Sequence, residues 1–143
     1  MGDVMVYFMQ EGSEVIGKGR IKIGWSQNPL RRLETLQAGN PDQLYLILVT
    51  PQRSEKAAHN RFQSYRIGAT EWFWPGDELV AAITNSWKDV ADYEGWTFDG
   101  RVDPQRAEDL CQGWMDYRIR EPHRYAQLMI NGPWHSRNEV RGG

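Results

Sequence analysis

Lys22-Ile23-Gly24-Trp25-Ser26-Gln27-Asn28-Pro29-Leu30-Arg31-Arg32-Leu33 changes its hydrophobic period halfway along. Through Arg20-Ile21-Lys22-Ile23 polar and apolar residues alternate, the period of a strand with one buried face. From Leu30 the apolar residues recur at Leu33 and Leu36, the spacing of a helix. Between the two lie a cap and a proline. Asn28 is suited to accept a first-turn amide hydrogen, and Pro29, which lacks an N–H, fits the first helical position. The stretch reads as a strand that feeds straight into a helix.

Working outward, Val4-Met5-Val6-Tyr7-Phe8-Met9 is a continuous apolar run rich in β-formers, a buried strand antiparallel to the 20–25 strand. Gly17-Lys18-Gly19 punctuates the link between them and lacks the Gly-Lys-Ser/Thr end of a phosphate loop. Downstream the helix runs to Ala38, where Gly39-Asn40-Pro41 stops it. Leu44 to Thr50 is a third buried strand. Ser54 caps a second helix over 55–66 with Ala58, Phe62 and Tyr65 on its apolar face. Glu71-Trp72-Phe73-Trp74-Pro75 is an aromatic cluster in which Trp72 and Trp74 close the core, followed by a third helix over 77–87. Beyond residue 88 the pattern loosens: 96–100 reads as a strand or turn, and Asp103-Pro104 opens a helix over about 104–119.

This order predicts an α/β (α+β) fold, a small three-stranded mainly antiparallel sheet flanked by helices. The sheet and its helices occupy 1–87. Residues 88–143 form an acidic, Trp-rich C-terminal helical extension that packs on the core or on a partner, with a frayed tail over 137–143.

The 143 residues suffice for one core, with 40% hydrophobic and 25% charged residues. No apolar run approaches the roughly 18 residues of a membrane span. The N-terminal stretch lacks the basic start and long apolar segment of a signal peptide. The single cysteine, Cys111, excludes an internal disulfide and a cysteine-based metal cluster. A cytoplasmic protein without membrane partners is expected. The net charge of −2 is unevenly spread: Lys18, Arg20, Lys22, Arg31, Arg32, Arg53, Lys56, Arg61 and Arg66 face only Glu34, Asp42 and Glu55 within 15–70. That segment, at net +6, has the electrostatic character of a nucleic-acid surface.

Helical geometry separates the two adjacent arginines. At about 100° per residue, Arg32 lies at the edge of the Leu30-Leu33-Leu36 face, within reach of a site beside the sheet. Arg31 points to solvent, suited to a more distant phosphate. Trp25 either packs or stacks on an unpaired base. Tyr7 is a common strand residue whose hydroxyl needs neighbouring cations such as Lys22 or Arg32 to act as a base. Glu71, beside three aromatics, calls for an ion-pair partner or a metal. His59 sits at the edge of the Phe62 face, as a packed residue or as an acid, base or ligand.

Tyr7, Ile23-Gly24 and the Asn28-Pro29 arginine helix, followed by Leu36-Gln37-Ala38-Gly39-Asn40-Pro41, His59-Asn60-Arg61-Phe62 and Glu71-Trp72-Phe73, resemble the GIY-YIG nuclease superfamily, in a small bacterial and phage branch. The resemblance covers about 4–87. It implies a compact nuclease core that hydrolyses phosphodiesters with one divalent metal, Mg2+ or Mn2+. On this resemblance Tyr7 takes the first tyrosine and Arg32 the phosphoryl-steadying arginine, while Glu71 or His59 supplies the metal carboxylate's role. Lys22 stands where the second tyrosine is expected.

The expected protein is thus a metal-dependent endonuclease on DNA, with single-stranded or flexible substrate favoured. Tyr7, Lys22, Arg32, His59 and Glu71 are catalytic, Glu71 also as metal ligand, and Trp25, Arg31, Arg53, Lys56, Arg61 and Arg66 bind nucleic acid. Residues 88–143 serve a homodimer or a protein partner. The alternative is a catalytically reduced binding module of the same fold.

Overall fold

The computed structural model describes residues 5–51 and 55–131. A four-stranded sheet in the order β3-β1-β2-β4, antiparallel at each pairing, is built from β1 (Met5–Glu11), β2 (Ile21–Ser26), β3 (Leu44–Thr50) and β4 (Trp72–Phe73). The helices are α1 (Pro29–Ala38), α2 (Glu55–Arg61), α3 (Asp77–Glu94), α4 (Pro104–Arg120) and α5 (Pro122–Asn131), with a single 3-10 turn at Gln63–Tyr65. The α+β class and the three long strands are as the sequence implies. The fourth strand is an addition: half of the aromatic cluster pairs with Ile21 and Lys22.

Successive strand residues point to opposite faces, yet Met5 through Gln10 are all buried. β1 is therefore the central strand of a sheet covered on both sides, which explains its uninterrupted apolar run. Where β1 meets β3 the register slips between Phe8 and Met9, so that Ile47 is an extra residue, a β-bulge. The Ile47 carbonyl at the bulge accepts from Trp87 Nε1 at 2.6 Å, and Trp87 is 1% exposed. A buried indole N–H and a buried carbonyl thereby satisfy each other. Trp96 and Phe98 pack against the same indole, so the 96–100 segment is an aromatic brace rather than a strand.

The strand-to-helix stretch folds as read. Asn28 Oδ1 accepts from the Arg31 amide at 3.1 Å, Pro29 opens α1, and Leu30, Leu33 and Leu36 pack on the core. Gln37 then anchors the next strand: its Oε1 accepts from Leu44 N at 2.7 Å and its Nε2 donates to the Asp42 carbonyl.

Four local expectations change. Helix 55–66 breaks after Arg61, because Phe62, fully buried, tightens the chain into the 3-10 turn and frees Arg66 to bridge Phe73. Its proposed cap, Ser54, lies outside the described residues. The third helix runs on to Glu94, since Val90 and Ala91 continue the face of Ile83 and Trp87, until Gly95 closes it in the left-handed conformation. Trp74 is 56% exposed and Trp72 only half-buried, against Arg20 and Lys22; Phe73 closes the core instead, because alternate residues of an extended stretch point to opposite faces. α5, with Tyr125 buried, was not foreseen. The tail over 137–143 lies outside the described residues. α4 packs across β3 and against α1 and α5. Among the described residues no helix is long and apolar enough to cross a membrane.

Candidate functional site

Where β1 and β2 meet the start of α1, a cleft of about 820 Å3 is lined by Tyr7, Trp25, Arg31, Arg32, Thr35 and Glu71, with Ser26, Gln27 and Asn28 at its turn. Each wall has a local cause. Tyr7 pairs with Gly24 across β1 and β2. A Cβ on Gly24 would overlap the Tyr7 hydroxyl and ring edge, so glycine here opens the space in which the phenol lies. Trp25, one residue on, is 50% exposed. The α1 residues Asn28, Arg31, Arg32 and Thr35 follow at the i, i+3, i+4, i+7 spacing of one helix stripe.

Arg32 is thus where the helical wheel puts it. Arg31 departs from expectation: it lines the cleft too, because Trp25, Ser26 and Gln27 at the end of β2 border that side of α1 and make it a wall. Thr35 was not singled out in the sequence, although its i+4 relation to Arg31 is visible there. Both guanidiniums are exposed, and among the described residues neither makes an ion pair or side-chain hydrogen bond.

Glu71 joins the cleft through β4. Its backbone carbonyl accepts from Ile23 N at 3.0 Å, and its Oε1 accepts from Lys22 Nζ at 2.9 Å. Lys22 is the more buried partner, at 13% side-chain exposure against 41% for Glu71. A shielded ammonium is costly without a counter-charge, so the pair holds the carboxylate in one place. Lys22 Nζ also lies 5.7 Å from the Trp72 ring centre, with Arg20, itself bound to Glu11, at 5.6 Å from the same ring.

Among the described residues Glu71 is the single acid lining the cleft, and no three His, Cys, Asp or Glu side chains cluster as a metal site. This donor set does not make a closed protein cage. What it offers a divalent cation is one carboxylate, already paired with Lys22, the smallest protein share of a Mg2+ site whose other positions are filled by water and phosphate oxygens.

The other predicted residues lie elsewhere. His59 is 8% exposed, does not line the cleft, and binds the Ile23 carbonyl through Nε2 at 2.9 Å. A carbonyl only accepts, so Nε2 carries the hydrogen. The ring leans on Phe73 at 5.2 Å. Arg61 pairs with Glu78 at 3.7 Å, and Arg66 donates through Nε to the Thr70 carbonyl at 2.7 Å. Lys56 is exposed on α2, away from the cleft lining, and Arg53 lies outside the described residues. The basic excess of 15–70 is therefore not one surface. Much of it is consumed by internal partners; among the described residues Lys18, Arg31 and Arg32 remain open, and of these Arg31 and Arg32 line the cleft.

The family model described as the T5orf172 domain matches residues 4–89, more than half of the chain. This corrects the resemblance drawn from the sequence: the matching family is a different one from GIY-YIG, no GIY-YIG model matches, and the shared motif types reflect a relation among nuclease-like folds. No curated protein and no solved structure matches.

Proposed function

The chain belongs to the T5orf172 domain family, a phage and bacterial domain associated with nuclease-like function, and from that premise we propose that it is a divalent-metal-dependent endonuclease acting on DNA. The observation that carries the reading is convergence. Tyr7, Arg31, Arg32 and Glu71, contributed by three separate stretches of sequence, line one cleft.

Phosphodiester hydrolysis needs a placed water, relief of charge on the phosphoryl oxygens and a held leaving group. Arg32 and Arg31 present donor forks to the non-bridging oxygens. The Tyr7 hydroxyl, held over Gly24, orients the water and takes part in its proton's departure. Glu71 is the residue that would hold Mg2+ or Mn2+, and the ion, when bound, supplies Lewis-acid polarisation of the phosphoryl group. Lys22 fixes that carboxylate, and His59 fixes Ile23 and so the strand beneath Tyr7.

Cleavage of labelled DNA with Mg2+ or Mn2+ tests this, wild type beside Arg32→Ala and Glu71→Gln. Metal-dependent cutting should fall by about 10²–10³-fold in Arg32→Ala, the scale of removing one charge-stabilising donor, and should lose its metal response in Glu71→Gln. A second reading, a binding module without catalysis, draws on one observation: the cleft's single carboxylate already answers Lys22. Absence of cutting by the wild type, with salt-sensitive binding that Arg32→Ala weakens, would establish that reading instead.

A further inference from the structure

Four of the cations outside the cleft lining have internal partners. Arg20 is bound to Glu11, Lys22 to Glu71, Arg61 to Glu78 and Arg66 to the Thr70 carbonyl. Arg31 and Arg32 have none among the described residues. Trp25 shares their position: half exposed, lining the same cleft, with no ring contact and no partner for its indole N–H among the described residues. Two open guanidinium forks and one open aromatic face thus stand within eight residues of sequence, against the end of one strand and the first turns of one helix.

These groups recognise particular chemistry. A guanidinium takes phosphate, and an indole takes the face of a base. In a duplex both faces of a base are covered by its neighbours in the stack, so an indole meets one only when the base has left the stack. A grip on duplex built from about 6–10 phosphate contacts needs many more cations than the two this cleft offers.

We propose that Trp25 is the specificity-determining residue of the cleft, stacking on an unpaired base while Arg31 and Arg32 hold the adjoining phosphates, so that the ligand is a single-stranded stretch of DNA. The inference rests on the reading of this cleft as a phosphodiester site, but it concerns recognition and is separable from cutting. The stack replaces hydration of an exposed indole, and the two forks set the strand's path past Tyr7 and Glu71. Duplex DNA reaches the arginines from outside without engaging Trp25.

The full-length chain, kept in a chelator so that no cleavage intervenes, is titrated by fluorescence anisotropy with a labelled thymidine strand, the same strand carrying abasic sites, and a blunt duplex. Wild type is compared with Trp25→Ala and Trp25→Phe, their folding checked by circular dichroism. The intact strand should bind about tenfold or more tightly than the duplex, the scale of one stacked base. Trp25→Ala should remove most of that advantage while leaving the abasic strand unchanged, and Trp25→Phe should retain it. The salt dependence on the strand should have a log–log slope of about −1.4, two phosphates at about −0.7 each. Equal or tighter binding of the duplex, or an equal loss on intact and abasic strands in Trp25→Ala, overturns the proposal. Strand-selective binding without any metal-dependent cutting would leave it standing and remove the nuclease reading. Cutting by a protein that prefers duplex would do the reverse.

Discussion

Two concave regions of this molecule carry nearly the same residue types and differ in what those residues have left to offer. The cleft beside α1 holds Trp25, Tyr7 and two arginines. A groove of about 650 Å3 between α3, α4 and α5 holds Trp87, Trp114, Tyr117, Arg106 and Arg120. In the groove the cations sit on neighbouring rings and the deepest indole is bound: Arg106 lies 3.7 Å from the Trp96 ring centre and near Glu94, Arg120 lies 5.8 Å from the Tyr117 ring centre, and Trp87 donates to Ile47, while Trp114 keeps an open indole N–H among the described residues. In the cleft both guanidiniums and the indole are open. Concavity and aromatic content therefore do not distinguish a site from a seam between helices. Cations left without a neighbouring ring or carboxylate do, because a ligand gains only from groups that the fold has not already satisfied.

The contrast fails first if the floor of the groove is dispensable. Trp87→Ala removes a fully buried side chain and strands the bulge carbonyl, and it should cost about 3–5 kcal/mol in urea unfolding. A loss below about 1 kcal/mol would mean that the groove is not a structural seam. In the cleft, Gly24→Ala drives a methyl group into Tyr7 and should cost up to about 3 kcal/mol, together with most of the cleavage activity that the proposed function assigns to the cleft. An active, undisturbed Gly24→Ala protein would show that Tyr7 is not held as described.

Cys111, on the α4 face turned to the core, gives a pH-dependent test. Burial, opposed more weakly by a hydrogen bond from the Leu30 backbone, pushes its thiol up to about 11 from an ordinary 9.0. The folded state then keeps a proton that the unfolded chain releases. The stabilisation is whole below about pH 9 and is lost as the pH rises towards about 11, by up to about 3 kcal/mol. Unfolding midpoints across that window should fall more steeply in the wild type than in Cys111→Ala, and parallel curves would contradict the burial.

The smallest effect serves as the control for the comparison. Arg106→Ala should lower stability by about 0.5–1 kcal/mol through its contact with Trp96, with the strand affinity and salt slope unchanged. A changed salt slope would place nucleic acid in the groove.

How legible these regions were depends on sequence separation. The Asn28-Pro29 start, the leucine stripe and the edge position of Arg32 are all local, and each was readable. The partnership of Lys22 with Glu71 joins residues 49 apart, and the open side of α1 became a wall only because the end of β2 lies beside it. Arg61 and Arg66 read as nucleic-acid contacts because charge is visible in a sequence while its partners, Glu78 and the Thr70 carbonyl, are not.

By itself the sequence determined the class of fold, the three long strands, the capped arginine helix and the residue types available for phosphate chemistry, since these follow from periodicity and from backbone conformations set within a turn or two. The tertiary structure alone decided the fourth strand, the α5 helix, the inward turn of Phe73 rather than Trp74, and above all which cations remain unpaired. Those outcomes depend on contacts between distant stretches, whose energies no local pattern records.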